Sequence, residues 1–63
     1  MFDIHMTHNG DLNKSTTITR ETLRSAIDST AELMMHHITT GATDLLIEIV
    51  DTTNMRMVAW VRV

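Results

Sequence analysis

Apolar and polar side chains alternate along the first residues of the chain. Alternation with a period of two predicts a strand that buries one face. The apolar face carries Phe2, Ile4 and Met6, and the polar face carries Asp3, His5 and Thr7. We therefore expect residues 2–8 to form a half-buried strand.

The segment that follows lacks this pattern. Asn9-Gly10 is a strong turn signal, because both residues tolerate positive φ angles. Residues 11–17 are polar and rich in threonine, with Leu12 as their only apolar anchor. This composition favours a loop with at most a short strand, which would be the second strand of an N-terminal hairpin.

A long helix is predicted over about residues 20–40. Thr19 is a suitable N-cap, since its hydroxyl can accept an unpaired amide of the first turn. Ile18 and Leu23 have the spacing of a hydrophobic staple across such a start. Gly41 is well placed to end the helix in the left-handed conformation.

The faces of this helix differ sharply in polarity. A charged, solvated stripe is formed by Arg24, Asp28, Glu32 and His36. The stripe expected to face the sheet is formed by Leu23, Ile27, Thr30, Met34 and Ile38, and it is widened by Ala26, Ala31 and Leu33. With Met35, the last two turns are apolar over more than the ~100° of an ordinary surface helix. This surplus predicts contact with a second molecule.

The C-terminal third of the chain has the pattern of a hairpin, with turn residues at 51–54 between two alternating runs. The faces expected to lie on the helix carry Leu45, Ile47 and Ile49 in the first strand, and Met57, Ala59, Val61 and Val63 in the second. Two registers remain open, one pairing Glu48 with Arg56 and the other pairing Leu46 with Trp60. The far face is too apolar for simple exposure to solvent.

These elements predict an α+β protein of a single domain, residues 1–63, with one long helix packed on a small antiparallel sheet. The expected order is β-α-β-β, with a short extra N-terminal strand as the variant. One helix covers one face of the sheet, so the second face and the wide end of the helix favour a homodimer. The candidate interface residues are Leu33, Met35, His37, Leu46, Val58 and Trp60.

Size and composition strengthen the case for self-association. The hydrophobic core of a 63-residue chain rarely supplies more than about 3–5 kcal/mol of stability without disulfides, a metal or oligomerisation. The chain has no cysteine, which excludes disulfides and thiolate zinc sites. It has no apolar run of membrane-spanning length and no signal-peptide pattern at its start, so we expect a cytoplasmic protein.

Little in the sequence points to chemistry. There is no cysteine nucleophile and no glycine-rich phosphate loop, and the chain contains no proline, which excludes the mechanism of small tautomerases with a similar strand–helix–strand order. His36 and His37 are adjacent on the helix, about 100° apart, so they do not chelate as histidines spaced i, i+4 would. We expect no enzymatic activity, no cofactor and no metal.

Two alternatives remain open beside a protein-interaction module. One is a small dimeric DNA-binding regulator, in which Trp60 between Arg56 and Arg62 would stack on bases. A formal charge of -3 and scattered basic residues argue against it. The other is a metal-responsive site built from histidines of two subunits. If His37 is neutral and buried at the interface, acid should weaken the dimer.

In its size, its acidity, its lack of cysteine and its lack of a catalytic motif, the chain resembles the small orphan proteins encoded in the early regions of temperate lambdoid phages. Its strand–helix–strand–strand order is also similar to that of DinI-type proteins of bacteria and their phages. Those proteins continue into an acidic C-terminal helix that this sequence lacks. The phage resemblance implies a protein that redirects host or phage machinery by binding a protein partner in the host cytoplasm.

Overall fold

One helix packs on a four-stranded antiparallel sheet, which confirms the predicted α+β class. The computed structural model describes residues 1–8, 11–41 and 44–62, with the backbone alone for residues 11–15. The Asn9-Gly10 turn and the position of Val63 therefore lie outside the described residues. The elements in chain order are β1 (Phe2–His8), β2 (Asp11–Arg20), α1 (Leu23–Thr39), β3 (Leu45–Asp51) and β4 (Arg56–Arg62).

The N-terminal half is a full hairpin, and the loop expected over residues 11–17 is wrong. β2 is ten residues long and pairs with β1 from Phe2–Arg20 to His8–Asp11, with one irregularity between Met6 and His8. Apolar periodicity missed it because much of this strand is solvent-exposed, as Thr16 and Thr17 are. β-Branched threonines suit such a surface. The sheet order is β2-β1-β3-β4, so the element order is β-β-α-β-β.

The helix starts three residues later than the N-cap prediction placed it. Thr22 is the N-cap, and its hydroxyl accepts a hydrogen bond from the amide of Ser25 at 3.1 Å. Thr19 still belongs to β2, where its hydroxyl donates to Asp3 Oδ1 at 2.8 Å. Pairing with β1 thus holds the chain extended through Arg20, which excludes the predicted staple.

The helix ends as the sequence predicts. Gly41 has φ +83°, and its amide donates to the carbonyl of Ile38 at 3.0 Å. A side chain is disfavoured in this left-handed conformation, and glycine avoids that cost.

Replacing Gly41 with alanine should therefore lower the free energy of unfolding by about 1–2 kcal/mol. No atom lies within 4 Å of the added Cβ, so the cost is conformational and not steric. Urea denaturation of G41A measures the loss. The matched control is G41N, since asparagine tolerates the left-handed region and should lose less. Equal losses in the two variants would contradict this account.

The β3–β4 hairpin adopts neither predicted register. Glu48 pairs with Trp60 and Leu46 pairs with Arg62, and the turn occupies residues 52–55, where Met55 has φ +56°. A bulge then shifts the pairing, so that Val50 lies opposite Met57. One extra residue in a strand reverses the facing of the residues beyond it. Met57 therefore leaves the face that Ala59 and Val61 share.

The core lies between α1 and the centre of the sheet. Its buried members are Ile4, Met6, Ala26, Leu45, Ile47 and Ile49. The main contacts of α1 are with β1 and β2, so the helix lies towards one side of the sheet. A helix is about 10 Å across, whereas four strands at about 4.8 Å spacing span about 19 Å. One helix cannot cover this sheet.

This off-centre position changes which residues of the helix are buried. The helix meets the sheet through Ala26, with Leu33 and Met34 partly buried beside it. Leu23, Ile27 and Ile38, expected at the centre of the buried stripe, are 40–50% exposed. Of these three, Ile27 lies over the less covered side of the sheet, next to Ala59 and Val61 of β4.

Candidate interaction surface

An apolar groove runs between the flank of α1 and the inner side of β3 and β4. Its volume is about 230 Å³. Its lining residues are nearly all apolar: Ile27, Thr30, Ala31, Met34, Ile47, Ile49, Ala59, Trp60 and Val61. The groove exists because the main contacts of the helix are with β1 and β2, so the inner side of β4 is only partly covered, and Ala59 and Val61 are half-buried there.

The opposite face of the sheet, the outer face, also becomes apolar towards β4. Leu46 and Val50 of β3 are half-buried there. On β4, Met57 is 50% exposed, Val58 46% and Trp60 62%. We call these five residues the β4 patch.

The other edge of the sheet has the opposite character. On the outer face of β1 and β2, Asp3 accepts from Thr19, and Thr17 lies 3.1 Å from Nδ1 of His5. These polar pairs are compatible with water, and they make the described side chains of this outer face polar. In the described part of the sheet, the exposed apolar side chains therefore concentrate on the outer face at the β4 edge, and the half-buried Ala59 and Val61 line the groove on its other face.

Strand β4 is an edge strand that pairs only with β3 among the described strands. An edge strand offers unpaired amides and carbonyls to another chain, and natural proteins blunt such edges with lysine, proline or a short length. The seven residues of β4 include neither lysine nor proline. Within the described residues, the β4 bulge and the arginines at positions 56 and 62 are the devices of this kind that β4 carries.

The charges around Trp60 do not form a basic surface. Glu48 is its cross-strand neighbour, and Asp51 lies opposite Arg56. The two basic residues of β4 therefore have different neighbours on β3. Arg56 lies opposite the acidic Asp51, and Arg62 lies opposite the apolar Leu46. Phosphate binding needs several clustered cations, so this arrangement does not favour nucleic acid.

The six candidate interface residues fall into two groups. Met35, Val58 and Trp60 are exposed, and Leu46 lies half-buried in the β4 patch. Leu33 and His37 are half-buried, with Leu33 packed against the core. Sequence reasoning missed Ile27 and Met57 as surface residues. Periodicity could not predict that either residue is exposed. The exposure of Ile27 depends on how the helix lies on the sheet, and that of Met57 depends on the β4 bulge.

Three histidines lie close together at the C-terminal end of α1. The ring centroids of His8 and His37 are 4.8 Å apart, and those of His36 and His37 are 5.1 Å apart, both edge-on. In the described ranges, no group of three or more histidine, cysteine, aspartate or glutamate side chains is arranged to hold a metal ion. A metal site between two subunits stays an untested alternative.

No family model, no curated protein and no solved structure matches this chain. Within the described residues, α1 is neither long enough nor apolar enough to cross a membrane.

Proposed function

We propose that this protein is a non-enzymatic protein-interaction module whose first partner is a second copy of itself, bound through strand β4. The observation that carries this proposal is the concentration of apolar side chains at one unpaired strand edge, exposed on the outer side and half-buried on the side of the groove. Met57, Val58 and Trp60 supply that surface on the outer side. Ala59 and Val61 supply it on the side of the groove.

Edge-to-edge pairing satisfies the backbone and the side chains together. Antiparallel pairing of β4 with its copy would make one eight-stranded sheet and hydrogen-bond amides that otherwise face water. A register centred on Trp60 places the two Trp60 side chains side by side. It also sets Ala59 opposite Val61 of the second copy, a small residue against a larger one. Aromatic pairs across strands contribute up to about 1 kcal/mol.

Twofold symmetry fits the distribution of polarity. The polar edge at β2 would lie at the two outer ends of the joined sheet, away from the contact. A stable interface needs roughly 800 Å² from each partner, against a total surface of 4370 Å² for one chain. We expect this area to come from three adjoining surfaces, namely the β4 patch, the edge of strand β4 and the apolar rim of the groove.

The chain contains a single tryptophan, which makes Trp60 a direct reporter of this contact. Its emission should shift to shorter wavelength as the protein concentration rises through the micromolar range, in parallel with dimer formation in sedimentation equilibrium. We expect V58K to raise the dimer dissociation constant at least about tenfold, or ~1.4 kcal/mol. A lysine at an edge strand opposes pairing.

The matched control is T17K, which places the same charge on an exposed position of the far strand β2. It should leave association unchanged. Far-UV circular dichroism of V58K checks that the monomer stays folded. Wild-type protein that sediments as a monomer throughout the micromolar range would overturn the proposal. A salt-dependent shift of duplex DNA would instead support the DNA-binding alternative.

A further inference from the structure

The three-histidine cluster joins the end of the helix to the end of β1. His8 is the last residue of β1, and His36 and His37 belong to the last turn of α1. His37 is the middle ring, within 5.1 Å of both others, centroid to centroid. Rings this close would repel each other if they carried positive charges, because like charges a few ångströms apart interact unfavourably.

Among the described side chains, the charges that shift the pKa of His37 are those of His8 and His36, and no carboxylate is among them. On β3, the register partner of His8 is the buried Leu45, preceded by the exposed Asp44. On β2 it is Asp11. On α1 itself, Glu32 precedes His36 by one turn, on a flank that also carries Leu33. The carbonyls at the end of the helix favour a cation, but His37 O already accepts from the Thr40 hydroxyl at 3.0 Å.

We infer that His8, His36 and His37 form an acid-sensitive latch, which holds the last turn of α1 against β1 at neutral pH and releases it on acidification. The neutral rings of His8 and His37 pack edge-on across the two elements, and the exposed His36 ring packs edge-on against His37 within the helix. Charging two neighbouring rings replaces that packing with repulsion. The release is a local opening of the helix end, within one chain.

The direction of the pH effect follows from His37. Burial lowers the pKa of His37 below its usual 6.5, and the positive charges of His8 and then His36 lower it further. The unfolded chain therefore binds a proton at His37 at a pH where the folded chain does not. The contribution of His37 to stability is fully present above the pKa that this residue has in the unfolded chain. It is lost as the pH drops from about 6.5 towards the lower pKa of the folded state.

Proton NMR titration can follow all four histidines of the chain, with His5 as the reference outside the cluster. We expect amide order in residues 35–40 to fall as the pH drops below about 6.5, the value of an unperturbed histidine. H8Q should raise the pKa of His37 and reduce this acid-induced loss of order. The control H5Q removes a histidine from the outer face and should change neither.

A second variant, H36Q, keeps the test decisive if H8Q fails to fold. The measurement is made on V58K as well as on the wild type, since the latch acts within one chain and must persist whether or not a dimer forms. A last turn that keeps its amide order at low pH would overturn the inference. So would a His37 pKa unchanged by both glutamine variants.

Discussion

Replacement of Ile4 by alanine is expected to lower the free energy of unfolding by about 2–5 kcal/mol. Ile4 is 0% exposed in the central strand β1, and its register partners are Ile18 on one side and Ile49 on the other. Removing three carbons leaves a cavity that a core of six buried residues cannot fill by relaxing. A domain of this size has about 3–5 kcal/mol to lose, so much of the I4A protein should be unfolded at room temperature.

Urea denaturation and thermal melting measure this loss, and the chain supplies a matched control. Ile27 is the same residue type but is 50% exposed on the flank of the helix. Because I27A removes far less buried surface, it should cost less than about 1.5 kcal/mol. The comparison also tests the rotation of the helix, since the sequence pattern placed Ile27 in the buried stripe. Equal losses in the two variants would show that the helix lies differently on the sheet.

Enlarging Ala26 to leucine is expected to destabilise the protein by about 1–3 kcal/mol. Ala26 is the one fully buried residue of α1, with 0% of its surface exposed, so its side chain lies in the contact between the helix and the sheet. A leucine there meets a core that already holds Ile4, Ile47 and Ile49. It must either push the helix away from β1 or force neighbouring side chains out of their preferred rotamers.

The control for this prediction is A31L, five residues further along the same helix. Ala31 is exposed and lines the open groove. Leucine and alanine have similar helix propensities, so A31L should change the stability by less than about 0.5 kcal/mol. Both variants are measured below the concentration at which the protein associates, which separates packing in the monomer from effects on a dimer. A stable A26L protein would contradict close packing at this position.

Strands with one buried face could be read directly from the chain. In β1 and β3 the buried residues Ile4, Met6, Ile47 and Ile49 all fall on the alternating positions that the sequence predicts. The end of the helix at Gly41 could also be predicted from the sequence, because the left-handed conformation restricts the type of residue that can occupy this position. Each of these features depends on a local rule or a simple period.

The errors have a common physical origin in pairing and packing between elements. β2 forms because β1 offers a strand edge, although residues 11–17 carry no apolar period of their own. The register of β3 and β4 depends on the bulge beside Ile49 and Val50, which reverses Met57. The start of the helix moved to Thr22 because the same pairing keeps Thr19 in a strand.

In the candidate interaction surface too, some residues could be predicted from the sequence and others depend on packing between elements. Trp60 and Val58 could be chosen from the sequence, because they stand on a face too apolar to be left to water. His37 was predicted as an interface residue, and the fold places it half-buried beside His8 of the same chain. The exposed flank at Ile27 was missed, since an apolar stripe on a helix does not say which part of its width the sheet covers.

By itself, the sequence determined the fold class, the buried faces of two strands and the end of the helix, because periodicity and backbone preference act over a few neighbouring residues. Only the tertiary structure decided that residues 11–20 form a strand, that α1 lies over β1 and β2, and that the uncovered apolar surface gathers at β4. Those outcomes depend on the relative width of a helix and a sheet and on long-range pairing, and no single segment encodes either.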